Sequence, residues 1–278
     1  MLKENCTVLD NQNVAPGHWV LKLRSKTIAK AARPGQFVQV LCTDGSLDPL
    51  LPRPFSFLSA EKDVFTLLHQ VVGRGTEFLS KKKKGEKLLV LGPLGNGFTL
   101  KTQKKIILVG GGVGIPPLVH LAETLLKDKT MRGKDVQVLL GARNKSFLLC
   151  QKDFKKLGIS LSVATDDGTQ GHRGYVTDLL TRSLQSSPPS LIYTCGPTPM
   201  LKAVSALAGK YKVPCEVSVE VPMACGFGAC LGCAIKVRSH VKESGPRVVS
   251  GAPKVEDFRF AIACTEGPVF KAADLLWD

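Results

Sequence analysis

The sequence predicts a multidomain β plus α/β chain: an N-terminal antiparallel barrel over residues 1–101, a central parallel α/β domain over 102–212 and a small C-terminal domain over 213–278. Three observations carry this expectation. Residues up to about 100 read as short β-rich pieces punctuated by Gly and Pro. Near residue 104 the pattern changes to strand, glycine turn and helical apolar period. From Val213 onward no helical period follows, and three cysteines crowd into "MACGFGACLGCAIKV". A chain of 278 residues has room for two or three such domains, each with its own core.

In the first part the strands are "GHWVLKLRS", "GQFVQVLC", "PFSFLSA", "VFTLLHQVV" and "EKLLVLGP", and repeated short strands of this kind close into a small barrel. One helix is expected among them, opening near Thr76 in "GTEFLSKKKKG". Within "RPFSF", strand alternation points Arg53 and Phe55 one way and Ser56 the other, with Pro54 between. An arginine can pair with phosphate bidentately, and a serine hydroxyl can meet a flavin's polar edge. The alternative is a plain surface strand. Gly73, Gly75 and Thr76 stand where the helix begins, which is either a phosphate seat or an ordinary cap.

The second part opens with "KKIILVGGGVGIPPLVHLAETLLKDK", a βα unit. Its turn, Gly110 to Pro117, leaves bare backbone at a helix start, where unpaired N–H groups suit a pyrophosphate. Gly112 and Gly114 fit the dinucleotide pattern G-x-G-x-x-G, Ile115 and Pro116 enter the helix, and Pro117 takes the place of the last glycine. "DVQVLLGAR" and "ISLSVATDD" are further strands, alternating with helices at 151–157 and 175–183, and Asp166 lies at the second one's end. "SLIYTCGPTPMLKAVSALAGK" repeats the strand, turn and helix order, and brings Cys195, Gly196 and Pro197 to the same edge of an open parallel sheet. The chain ends in "KAADLLWD", read as a short helix.

No apolar leader is seen in the opening residues, so a cytoplasmic location is expected, where thiols stay reduced. Its nine cysteines therefore raise the question of cofactor ligation. Cys6, Cys42, Cys150 and Cys215 are scattered singly and read as small buried hydrophobes. Cys225-x4-Cys230-x2-Cys233, with Cys264 thirty residues on, has the spacing of plant-type [2Fe-2S] ligation. A structural zinc site is the alternative, although zinc ribbons pair two short knuckles. The formal charge of +15 does not make a nucleic-acid binder, because the basic run Lys81 to Lys84 has no interleaved aromatics and matches no such motif. No membrane span is expected, since the most apolar stretch, 106–126, is broken by glycines and prolines and carries His120 and Glu123.

Arg53 to Ser56, Gly110 to Pro117 and Cys195 to Pro197 resemble the flavin and nicotinamide motifs of the ferredoxin-NADP reductase superfamily. "MACGFGACLGC" with "ACTEGPVF" resembles one branch of it, the electron-transfer subunits of class B dihydroorotate dehydrogenase, and the likeness runs along essentially the whole chain, including "ATDDGTQGHRGYVTDLL". The resemblance implies FAD in the barrel, NAD in the α/β domain and a [2Fe-2S] cluster on Cys225, Cys230, Cys233 and Cys264. It also implies a catalytic partner subunit that holds FMN and oxidises dihydroorotate to orotate. Ser56 then sits near the flavin and Cys195 near the nicotinamide; Arg53 and Thr76 hold FAD phosphates and Gly112 and Gly114 the pyrophosphate, while Asp166 at the same sheet edge either touches the dinucleotide or caps its loop. Arg143 and Lys145 leave NADP open. Two features depart from the pattern: the interval 234–263 is long, and Phe55 stands where many members have tyrosine. Small subunits of NAD(P)H-dependent ferredoxin or sulfur oxidoreductases share these cofactors, and a zinc-stabilised interaction module is the non-enzymatic rival.

Overall fold

A computed structural model describes residues 2–43, 45, 47–101, 105–239 and 258–277. The first part is a closed six-stranded antiparallel barrel. Its strands are β1 (Leu2–Ala15), β2 (His18–Arg24), β3 (Phe37–Val40), β4 (Arg53–Glu61), β5 (Val64–Gln70) and β6 (Lys87–Leu94), in the order β1-β2-β5-β4-β3-β6. Alternate residues point inward, so Leu21, Leu23, Phe57, Phe65 and Leu67 fill the interior without solvent exposure. Two helices decorate the barrel, not the single one expected: α1 (Lys26–Ala31) joins α2 (Arg74–Ser80). Ser25 starts α1 by accepting from the Ile28 N–H at 3.1 Å, a capping signal that precedes only six helical residues and so leaves little periodicity to read.

The second part contains β7 (Ile106–Gly111), α3 (Pro116–Lys127), β8 (Val136–Ala142), α4 (Gln151–Lys156), β9 (Ser160–Thr165), β10 (His172–Arg173), α5 (Val176–Ser186), β11 (Leu191–Cys195), α6 (Thr198–Lys210) and β12 (Cys215–Ser218). The strands β7, β8, β11 and β12 are largely buried, as parallel strands are, whereas β9 starts at the exposed Ser160 and is buried only at Ala164 and Thr165. Beyond them, β13 (Ala234–Arg238) and β14 (Phe258–Ile262) form a hairpin, and β15 (Val269–Lys271) returns to pair antiparallel with β12. The seven-stranded sheet thus runs β10-β9-β8-β7-β11-β12-β15 and takes two strands from beyond residue 212.

The final segment is not the helix expected of "KAADLLWD". Ala272–Asp274 make one 3-10 turn, and Leu275 then bridges Val237 of the hairpin. Pairing with existing backbone wins because an eight-residue helix is marginal in isolation. No helix among the described residues is long and apolar enough to cross a membrane.

Candidate active site and cluster loop

Parallel pairing sets three strand ends in a row, because Gly110 lies opposite Cys195 and Cys195 opposite Ser218. The glycine turn after β7 is pressed against the turn after β11. A Cβ on Gly114 would stand 2.4 Å from the Gly196 nitrogen, and one on Gly196 would stand 3.0 Å from the Gly111 oxygen. These motifs therefore specify each other sterically. Gly112, with φ +55°, has nothing within 4 Å of its missing side chain and lies open. Ile115 and Pro116 lead into α3, while Pro197 caps α6.

A cleft opens between this edge and β4. Arg53, Pro54, Phe55 and Ser56 all contribute to its wall, so the alternation expected for the strand does not separate them, and Val113 and Cys195 face them. Arg53 donates from Nη1 to the Leu51 carbonyl at 2.6 Å and packs over Gly75, where a Cβ would come within 3.2 Å of its Nε. The Thr76 hydroxyl is already engaged by the turn, accepting from the N–H groups of Val72 at 2.8 Å and Gly73 at 3.2 Å. Val72 and Thr76 of that turn line the cleft. Phe55 packs 5.8 Å from the ring of His69, whose pKa is lowered to about 4, chiefly by burial and then by His18. Asp166 is exposed at the end of β9, and the neighbouring Asp167 caps the loop by accepting from Thr169.

Sequence reasoning missed Glu220. It follows β12, lines the same cleft, and burial pushes its carboxyl above the ordinary range. Burial, reinforced by the Glu220 charge, holds the Cys195 thiol well above its usual value, so Cys195 is a protonated thiol at neutral pH. Its one mark in the sequence is "VSVEVPM", an acid inside an apolar run, which does not say what the acid faces.

The four expected ligand cysteines sit together. Gly226 and Gly228, with φ +81° and +86°, turn the loop so that the Phe227 N–H approaches the Cys225 sulfur at 3.5 Å and the Gly228 N–H donates to the Cys264 sulfur at 3.1 Å. Burial opposes ionisation of Cys225, but N–H groups of Phe227, Cys230 and Ala229 together outweigh it and bring its pKa to about 6. Cys264 goes the other way, to about 12, through burial and then its contact with Cys233. The thiols thus fall into two hydrogen-bonded pairs, Cys225 with Cys230 and Cys233 with Cys264. Among the described residues, no three His, Cys, Asp or Glu side chains gather around a point suited to a single metal ion. The long interval does not separate Cys264 from the others. The hairpin pairs Ala234 with Ile262, and the Ala263 N–H donates to the Cys233 carbonyl at 3.1 Å.

Residues 108–206 match the family described as oxidoreductase NAD-binding domain, and residues 220–276 match the iron-sulfur cluster binding domain of dihydroorotate dehydrogenase B. The chain is 40% identical over 268 residues, 95% of each chain, to the dihydroorotate dehydrogenase B (NAD(+)) electron transfer subunit of Desulforamulus reducens. The chain belongs to this family. The corresponding subunit of Caldanaerobacter subterraneus subsp. tengcongensis is 36% identical over 99% of both chains. A solved chain from an NADH-dependent reduced ferredoxin-NADP oxidoreductase superposes with a TM-score of 0.82 at 28% identity, covering 99% of this chain and 90% of that one. The ferredoxin reductase of carbazole 1,9a-dioxygenase shares the fold at TM-score 0.65 and 21% identity, over 76% of this chain and 66% of its own.

Proposed function

We propose that this electron-transfer subunit carries FAD and a [2Fe-2S] cluster, uses NAD, and serves an FMN-containing catalytic subunit that oxidises dihydroorotate to orotate. The observation that carries the reading is the convergence of the β4 motif and the ends of β7 and β11 on one cleft, whose wall also takes Met223 and Pro268 from the segments that carry the paired cysteines. The bound groups supply the interchange between hydride transfer, which moves two electrons, and single-electron transfer.

The chain's own residues bind and orient. Arg53 and the turn containing Gly73, Gly75 and Thr76 hold the FAD phosphates, while Pro54, Phe55 and Ser56 form the flavin's seat. Gly110, Gly112, Gly114, Ile115 and Pro116 offer close backbone and N–H groups to the nicotinamide dinucleotide, with Gly196 and Pro197 opposite and Asp166 at the rim. Cys195 keeps its proton and presents an uncharged surface beside the nicotinamide seat. Glu220 holds a proton on its carboxyl to a higher pH than a free glutamate.

Cys225, Cys230, Cys233 and Cys264 hold the cluster. They fit it on two grounds: the thiols stand in pairs, as two metal atoms require, and backbone N–H groups already point at two of the sulfurs. The two glycines leave the loop without side chains at the turn that wraps it. Ligation removes the thiol protons, so assembly is favoured as pH rises.

Anaerobically purified protein is expected to show flavin bands over broad iron–sulfur absorption and a [2Fe-2S] EPR signal on reduction. Colourless protein containing stoichiometric zinc would sink the reading. Cys230→Ser is expected to spare NADH oxidation by a two-electron dye and to abolish electron exchange with the catalytic subunit. Equal survival of both activities removes the cysteine loop from the path.

A further inference from the structure

The outer face of β3 carries one polar side chain in an otherwise apolar contact. Val38 and Val40 enter the barrel core, whereas Phe37 packs in the cluster that contains Cys233, Ala263 and Cys264. Alternation therefore turns Gln39 toward the cysteine loop as well. Gln39 is 1% exposed, and neither its Nε2 nor its Oε1 has a hydrogen-bond partner among the described residues. An amide left buried and unpaired is costly, and native proteins rarely tolerate it without a reason.

What stands opposite is Gly226, the residue after Cys225. A Cβ there would lie 2.6 Å from Gln39 Cγ and 2.8 Å from Nε2, so the loop closes on this amide and only glycine leaves it space. Across the ladder Gln39 is registered with Pro54 of the flavin strand. One carboxamide thus lies between the flavin's seat and the cysteine loop.

We propose that Gln39 is a positioning residue that donates from Nε2 to the sulfur face of the centre held by the Cys225 loop, and so sets how readily that centre accepts an electron. The proposal rests on the four-cysteine reading above. Reduction adds negative charge to the sulfurs, so an N–H donor stabilises the reduced form more than the oxidised one, and losing the donor lowers the potential.

The test is an EPR-monitored redox titration of the anaerobic holoprotein, wild type against Gln39→Met and Gln39→Glu, with iron and acid-labile sulfide assayed and the flavin midpoint read from visible absorption. Gln39→Met preserves side-chain length and is expected to keep iron, sulfide and the flavin midpoint. Its cluster midpoint falls by about a tenfold change in the reduced-to-oxidised ratio at fixed ambient potential, about 59 mV for one electron. Gln39→Glu, which keeps a polar side chain should Met fold poorly, moves in the same direction. A loaded variant with the wild-type cluster midpoint overturns the proposal, as does a shift confined to the flavin. Wild-type protein without iron or sulfide instead overturns the four-cysteine reading, and the role of Gln39 with it.

Discussion

A methyl group at position 114 would meet the Gly196 nitrogen at 2.4 Å and its Cα at 2.5 Å, and both are backbone atoms that cannot swing aside. Gly114→Ala is therefore expected to push the β7 and β11 turns apart. The cost is about 1–3 kcal/mol of stability, as for overpacking elsewhere, together with weaker NADH binding and unchanged flavin content. Urea denaturation and an NADH titration check both halves. Wild-type affinity in the variant would show that the turn spacing does not shape the dinucleotide seat. This glycine was legible because a pyrophosphate needs bare backbone at a fixed place in the chain. Glu220 and Gln39 were not, since nothing about an acid or an amide in an apolar run says what it faces until β12 and β3 are placed.

The hairpin β13–β14 resolves the departure that the long interval posed. Ligand spacing along the chain is irrelevant once antiparallel pairing clamps residue 234 against residue 262, because Cys233 and Cys264 then emerge from the same end. Sequence periodicity revealed β7, β8, β9 and β11, which alternate with helices, but not the two-residue β10 or the β12 that follows residue 212. It overlooked β1, whose fourteen residues mix acids and amides with apolar positions, and α1, which is too short for a period. Helix α3 offers a pH test. His120 on it meets the ring of Phe57 in β4 at 6.2 Å, and burial, with a smaller contribution from Lys127, lowers its pKa from 6.5 to about 4. The folded state holds fewer protons at this site than the unfolded chain, so the associated stability is complete above pH 6.5 and is lost as pH falls toward 4. His120→Phe should flatten the acid side of the stability curve by about 3 kcal/mol over that window. Denaturation midpoints measured at intervals from pH 7 to 4 decide it, and parallel curves for both proteins would place the acid sensitivity elsewhere.

At the scale of the whole molecule, three parts of the chain are tied around one cleft rather than strung in series. The barrel joins the sheet where the Tyr193 hydroxyl donates to the Thr99 carbonyl at 2.5 Å and the Thr99 N–H donates to Glu216 at 2.9 Å. The cysteine-bearing part is held to the sheet by β15 and to the barrel by Asn96. The Asn96 side chain donates to the carbonyls of Thr265 and Glu266, both at 3.0 Å, just beyond Cys264. Such ties are invisible to sequence patterns because their partners lie from 94 to 170 residues apart. Electron transfer depends steeply on distance, so the hold of the cysteine loop against β3 of the barrel bears on function. Asn96→Ala deletes both donors, at about 0.5–1.5 kcal/mol each, while leaving the cleft and the thiols untouched. Dye-linked NADH oxidation is expected to stay at the wild-type rate, whereas the reduced-cluster EPR signal should appear more slowly after rapid mixing with NADH and freezing. If both proceed at wild-type rates in a variant shown to be destabilised, the clamp serves folding alone, and β15 with the β3 contact suffices to fix the distance.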